Sequence, residues 1–396
     1  MKVITDKNKI EELLTRGVED VFIKEHLKEQ LSSGQQLRIK LGIDPTSPYI
    51  HIGRAITLRK LKAFQDLGHK IVLIIGDYTA RIGDPSDKLE KRPMLSKQQI
   101  KINLEKYLEQ IGLIINMGKT EVRYNSEWLE KMNFVELGQL LECFTVQQMV
   151  KRRNFKERIN AGQDVFMVEF LYPAFQGYDS VAVKSDVEIG GFDQLFNLKA
   201  GRTVQKRYGQ KEQDIIVLSM LEGTDGRKMS SSWGNIISII DPPNEMFSKI
   251  MAVNDDLIIK YFTLCTELSL EKIDGFKKEL KIGTNPRDVK MKLAREIVKL
   301  FHTEKETIKA EENFINTFQK KEIPEKIDKI KAKVGELLSE VLVRNKVLPS
   351  KGQWRRLVLE NAIHDLSQNK NIVDVNLKVS GNMTLKIGKK KFIKII

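Results

Sequence analysis

Three short runs of the 396-residue chain have residue types and spacings suited to holding a phosphorylated ligand. His51-Ile52-Gly53-Arg54 sits where a strand pattern gives way to a helix pattern, and the free backbone N–H groups of a helix start favour phosphate. Plain turn chemistry uses the same residue types. Lys228-Met229-Ser230-Ser231-Ser232, between Gly226-Arg227 and Gly234-Asn235, makes a flexible, basic, hydroxyl-rich loop; a merely solvated loop has that composition too. Gly190-Gly191-Phe192-Asp193-Gln194 follows a strand, where paired glycines let a ligand approach the backbone closely. A tight turn asks for no more than that.

These runs lie on a pattern of alternating short strands and helices. Leu37, Ile39, Leu41 and Ile43 recur every second residue and predict a strand. A turn-rich crossing, Asp44-Pro45-Thr46-Ser47-Pro48, leads to a helix with Leu58, Leu61, Phe64 and Leu67 on one face, stopped by Gly68. Residues 71–75 form a continuous apolar strand. Strand, crossover helix and strand make the unit of a doubly wound parallel sheet. Residues 96–165 read as helices and loops, an insertion rather than more sheet. Strands are expected again at 181–183, 187–189 and 215–218, followed by a helical segment from about 243 to 319. In the last part residues 353–362 read as a helix. Val373-Val375-Leu377-Val379 and residues 385–387 read as strands joined by Ser380-Gly381-Asn382, with residues 392–395 closing.

The chain is 41% hydrophobic and 30% charged, which suits a folded core and excludes a disordered, collagenous or coiled-coil protein. The apolar run at 71–75 is too short to cross a bilayer, and Met1-Lys2-Val3-Ile4 runs straight into charges, so neither a membrane span nor a signal segment is expected. Two distant cysteines, Cys143 and Cys265, predict no disulfide framework or zinc site and fit a reducing cytoplasm. The net charge of +14 is uneven: residues 321–396 carry +9, leaving +5 for the rest. A basic terminal unit on a near-balanced body points to a polyanionic partner, most simply nucleic acid, although a lysine-rich soluble surface gives the same count.

Taken together and in order, these marks resemble the class I aminoacyl-tRNA synthetases, specifically the bacterial-type tyrosyl-tRNA synthetases. The resemblance spans essentially the whole chain. It rests on Gly42-Ile43-Asp44-Pro45-Thr46, the HIGH-like residues 51–54, Ile82-Gly83-Asp84-Pro85-Ser86, Tyr172-Pro173-Ala174-Phe175-Gln176-Gly177-Tyr178-Asp179, residues 190–194 and the KMSKS-like residues 228–232. The tail Lys386-Ile387-Gly388-Lys389-Lys390-Lys391-Phe392 looks like a small RNA-binding module. The implied fold is α/β: a Rossmann-like parallel-sheet catalytic domain at 1–240 with a helical insertion at about 96–165, a helical anticodon-side domain at 241–322, a linker at 323–336 and a small α+β basic RNA-binding domain at 337–396. The resemblance further implies a cytoplasmic homodimer, formed through the insertion.

The implied reaction has two steps. Tyrosine's carboxylate attacks the α-phosphate of ATP, giving tyrosyl-adenylate and pyrophosphate, and a ribose hydroxyl of tRNA then takes the tyrosyl group and releases AMP. The nucleophile is already an anion, so alignment and charge stabilisation suffice. Mg²⁺ accompanies ATP, and no protein-held metal is expected. By resemblance Thr46, His51, Arg54, Lys88, Arg92 and Lys228 face the phosphates. Asp44, Gly53, Gly191, Asp193, Met229, Ser230, Ser231 and Ser232 complete the ATP site, with Asp193 on the ribose. Asp84, Tyr172 and Gln176 hold the tyrosine ammonium, Gln194 lies near its carboxylate, Asp179 accepts the phenolic proton, and Thr79 and Asn125 line the pocket. Lys351, Arg355, Arg356, Lys389, Lys390 and Lys391 bind RNA. Deletion of 337–396 is expected to abolish charging of tRNA while sparing activation of tyrosine.

Three positions depart from the family pattern. Lys40 stands where a second phenol-binding tyrosine is usual; it either pairs with Asp179 or is a solvated strand-edge lysine. Arg54 replaces the second histidine of HIGH, and Ser231 the second lysine of KMSKS, with Arg54 or Arg227 as the compensating cation. A tryptophan-activating relative and an idle synthetase-like RNA binder are the rival readings. The YxxxQxxD run and the basic tail count against the first, and the intact adenylate residues against the second. Trp354 is expected in a core rather than stacked on a base.

Overall fold

In a computed structural model the described residues are 2–86, 96–230, 233–319, 327–368, 370–388 and 391–396. They form two compact units, Met1–Ile308 and Lys309–Ile396.

The first unit is built on a six-stranded sheet. In chain order its elements are β1 (Val18–Phe22), β2 (Arg38–Ile43), α1 (Ile52–Asp66), β3 (Lys70–Ile75), α2 (Lys97–Gly112), β4 (Thr120–Tyr124), α3 (Met167–Val183), β5 (Val187–Gly191), α4 (Leu195–Arg207) and β6 (Asp214–Leu218). The sheet order is β1-β6-β5-β2-β3-β4, all parallel except β1, which pairs antiparallel with β6. Chain order climbs outward from β2 through β3 to β4 on one side and from β5 to β6 on the other, with β1 added at that edge. The crevice at the carboxyl ends of β2 and β5 is therefore the switch point at which open α/β sheets bind ligands.

Local sequence explains the central elements. Residues 71–75 are wholly buried because helices cover both faces of a parallel sheet. Helix α1 starts where the His51 side chain accepts from the backbone of Arg54, and it ends before Gly68, whose φ of +92° no side chain adopts easily. Leu58, Leu61 and Phe64 are its buried face.

Two expectations fail here. Residues 96–165 are not wholly outside the sheet: α2 is the crossover that returns the chain to β4, which pairs parallel with β3. Every β4 side chain is half-buried, as an edge strand requires, so the segment lacks a clear apolar period. The rest of that stretch is helical, at Ser126–Leu129, Phe134–Leu141, Val146–Val150 and Arg153–Asn160. Residues 181–183 end α3 rather than form a strand. A short β-branched apolar run is ambiguous by itself, and here it continues a helical face that buries Asp179, Ser180 and Val183.

The helical segment belongs to this same unit as far as Ile308. Its helix α5 (Ile258–Cys265) leaves orphan carbonyls at its C-terminus, and guanidinium groups take them: Arg16 reaches Thr263 O and Thr266 O at 2.9 and 2.7 Å, and Arg59 reaches Thr266 O at 2.7 Å.

The second unit contains, in chain order, β7 (Asp328–Ile330), α6 (Leu338–Arg344), α7 (Lys351–Leu359), β8 (Ile363–Asp365), β9 (Lys370–Asn371), β10 (Met383–Ile387) and β11 (Lys391–Ile395). The sheet order is β7-β11-β10-β8-β9. Leu338, Leu342, Trp354, Val358, Leu385 and Ile393 anchor its core, so Trp354 is the core aromatic expected, with its indole N–H on Val375 O at 2.8 Å. Strand β7 falls inside the stretch expected to be linker, and Ile330 joins the core. Residues 373–379 form no regular strand. Asp374 accepts from the backbone of Asn376 and turns the chain, so the alternation makes no ladder and buries only its far end: Val379 is buried, Val375 and Leu377 half-buried, and Val373 71% exposed.

Candidate active site

At the carboxyl ends of the strands lies a cleft of about 430 Å³. Its walls come from the ends of β2, β3, β5 and β6 and from the start of α1, and most of the residues singled out from sequence line it.

The first end is cationic. Thr46, His51, Gly53, Arg54, Lys228, Met229 and Ser230 all face the cleft. His51 caps α1, and burial together with the charges of Arg54 and Lys228 pushes its imidazole down to about 3, so it is neutral. Gly53 lies against it: a Cβ there would stand 3.1 Å from His51 Nδ1. Arg54 donates to the Tyr107 hydroxyl at 2.7 Å. The loop carrying Lys228 is stapled by Asn235, whose side chain accepts from Ser230 N at 2.9 Å and donates to Lys228 O at 3.1 Å. Lys88, Arg92, Ser231 and Ser232 lie outside the described residues.

Beside it lie Gly191 and Asp193. A Cβ on Gly191 would stand 2.7 Å from Asp193 Oδ1, so the bare backbone is what leaves room there. Asp193 Oδ2 is 3.0 Å from Lys228 Nζ. Asp44 accepts from Thr79 at 2.8 Å and from the Tyr172 hydroxyl at 2.9 Å.

The other end is set by α3. Tyr172, Gln176 and Asp179 project from one helix face into the cleft, as their spacing requires. Asp84 accepts from Gln194 at 2.6 Å, which brings those two together. At the floor Asp179 accepts from Trp128 Nε1 at 2.9 Å and from Asn125 Nδ2 at 3.4 Å. Burial pushes its carboxyl up to about 7, against the opposing charge of Lys40 and those two hydrogen bonds.

Lys40 matches neither expectation. Strand β2 is central, so Lys40 is wholly buried, and it stands in register with Glu188 on β5. Its ammonium spends its three donors on Glu188 Oε1 at 2.9 Å, Ser180 Oγ at 2.7 Å and Gln176 O at 3.0 Å. It lies behind the cleft and does not line it, and its ion-pair partner is Glu188, not Asp179.

In the second unit Lys351 pairs with Glu340 at 2.7 Å, Arg356 approaches Glu360 at 3.7 Å, Arg355 is exposed and Lys391 donates to Val347 O. Lys389 and Lys390 lie outside the described residues.

Tyr107, Trp128 and Glu188 have no motif around them and take their places only through tertiary contact. Gly76 has one signal: it ends a buried strand. A Cβ there would overlap Asp44 and Thr79, which makes it part of the same constellation.

The profile of the class I tRNA synthetases (W and Y) matches residues 32–319. A tyrosine–tRNA ligase of Thermotoga maritima is 44% identical over 385 residues, 97% of this chain and 96% of that one. A tyrosine–tRNA ligase 2 of Clostridium acetobutylicum is 45% identical over the full length of both. Among solved structures the fold is similar to a C-terminally truncated mitochondrial tyrosyl-tRNA synthetase of Coccidioides posadasii (TM-score 0.62, 22% identity, 78% of this chain and 92% of that one). It is also similar to the L-tyrosine complex of the Archaeoglobus fulgidus enzyme (TM-score 0.61, 21% identity, 77% and 99%). A Rossmann-like sheet with its cleft at the switch point, and relatives of this closeness over nearly the whole length, give one conclusion: the chain belongs to the class I tRNA synthetases of the tryptophan and tyrosine type, and within them to the tyrosine–tRNA ligases, which join tyrosine to tRNA with ATP.

Proposed function

We propose that the cleft binds tyrosine and ATP side by side and aligns the amino-acid carboxylate with the α-phosphate. The observation that carries this is the polarity of one cavity: a buried carboxylate, Asp179, at one end and His51, Arg54 and Lys228 at the other. Asp179, fixed by Trp128 and Asn125, accepts the phenolic proton; phenylalanine would leave that buried group unpaired. Tyr172, Gln176 and Asp84 take the ammonium. Neutral His51 donates to phosphate without adding charge, and Lys228 leaves Asp193 for the departing pyrophosphate, freeing that carboxylate for the ribose. The protein forms no covalent bond, and fixed donors stabilise the charge that develops.

Mg²⁺ enters with the ATP phosphates as part of the substrate. The basic second unit binds the tRNA backbone. Phe134, 92% exposed, with exposed Val135, Val146 and Met167, supports association of two copies through the segment after β4. Among the described residues no helix is long and apolar enough to cross a membrane; a cytoplasmic site is part of the proposal. The test is ATP–pyrophosphate exchange with each amino acid in turn. Exchange with tyrosine alone is expected, and exchange driven by tryptophan would overturn the assignment.

A further inference from the structure

Helix α2 buries one stripe, Ile100, Asn103, Tyr107, Gln110 and Ile111, and three of its members are polar. Each polar member holds a different point of the crossing between β2 and α1. Asn103 Nδ2 donates to Pro45 O at 2.9 Å. Gln110 accepts from Ile50 N at 2.9 Å and donates to Pro48 O at 2.8 Å. Tyr107, only 1% exposed, accepts from Arg54 Nη1 at 2.7 Å, with the guanidinium carbon 5.8 Å from its ring centroid. Buried polar side chains at successive turns are costly unless paired, and here all three are paired to the same segment. The helix is thus a backing for the phosphate end of the cleft.

Resting on the function proposed above, we infer that Tyr107 is a positioning residue for Arg54, holding its guanidinium where the departing pyrophosphate forms and so supplying the cation that the loop lacks at Ser231. An arginine has a long, freely rotating stem, and fixing its planar fork beforehand removes that freedom from the cost of the chemical step. Thr46 Oγ1, 3.5 Å from Arg54 Nη2, lies on the other side of the fork, and the two contacts together aim it along the cleft. The other candidate cation is committed elsewhere: Arg227 is paired with Asp225 at 2.6 Å, is stacked on Trp233 at 4.9 Å and is largely exposed.

The test is a double-mutant cycle on the full-length enzyme, read by the single-turnover rate of tyrosyl-adenylate formation and by the KM for tyrosine. Tyr107→Phe keeps the ring and removes the acceptor; it should slow adenylate formation about tenfold while leaving the KM for tyrosine unchanged. In an Arg54→Ala background the same change should have no further effect. Arg54→Lys, which keeps the charge but loses the fork, should be slowed to a similar degree and leaves the interior of α2 untouched if Tyr107→Phe folds poorly. The inference is overturned if Tyr107→Phe or Arg54→Lys matches the wild type, or if Tyr107→Phe is as harmful without Arg54 as with it, the mark of a merely structural role. A wild-type enzyme inactive with tyrosine would instead overturn the parent reading, and this one with it.

Discussion

Lys40 Nζ lies 2.9 Å from Glu188 Oε1, directly across from it on the neighbouring strand, and neither side chain reaches solvent. The pair is completed by Ser180, Gln176 and Gln213, each of which hydrogen-bonds to the Glu188 carboxylate. It forms a polar layer between the sheet centre and α3, the helix that carries Tyr172, Gln176 and Asp179 into the cleft.

Removing one partner strands the other. Lys40→Met is expected to cost about 3–5 kcal/mol, since an unpaired buried carboxylate remains. Lys40→Met with Glu188→Met should recover much of that loss. The midpoints of urea denaturation check both.

Asp179 gives a pH dependence with a definite sign. Its ordinary value is 3.8, and burial raises it to about 7 in the folded chain. Between those values the folded state holds the extra proton, so this group's contribution to stability falls as pH rises from about 4 to about 7 and is level above. Asp179→Asn should flatten that fall in a pH series of denaturation curves. Tyrosine affinity should rise from pH 6 to pH 8 in the wild type and not in Asp179→Asn, and the variant's preference for tyrosine over phenylalanine should drop by about tenfold or more.

Lys228 and Asp193 test the loop. Their ion pair is partly exposed and adds little to stability. Lys228→Ala should therefore leave the thermal midpoint unchanged while slowing tyrosine-dependent pyrophosphate exchange about a hundredfold. Equal losses of activity and midpoint would argue against the assigned role.

The second unit should be separable by activity. The cut belongs before β7 rather than at 337, because Ile393 and Ile395 on β11 pair with Asp328 and Ile330. Deleting 327–396 should abolish transfer of tyrosine to tRNA and spare pyrophosphate exchange. In the full chain Arg355→Glu should weaken tRNA binding and lessen its salt dependence, measured by filter binding across a salt series.

The elements carrying the site were legible wherever local pattern and tertiary environment agreed. Strands at 38–43 and 71–75 and the helix from 52 were readable because alternation, a continuous apolar run and a glycine stop are local signals. The run at 373–379 misled because its alternation is real, but Asp374 bends the backbone out of any ladder. Motif residues were legible as a set; their partners were not. Lys40 meets a carboxylate 148 positions away, and Tyr107 meets Arg54 across 53, distances over which a single sequence carries no pairing signal.

On the function proposed above, the floor of the cleft also bears on reprogramming the enzyme for unnatural amino acids. Asp179 is the acceptor for two fixed donors, Trp128 Nε1 and Asn125 Nδ2. Shortening Asp179 to admit a bulky para substituent would orphan the indole N–H and leave Asn125 Nδ2 with Thr79 Oγ1 alone, so space gained there by a single change comes with an unsatisfied N–H group facing the newcomer. Libraries for such substrates should vary positions 125, 128 and 179 together, and the substituents best accommodated are those that bring an oxygen to the place the carboxylate left.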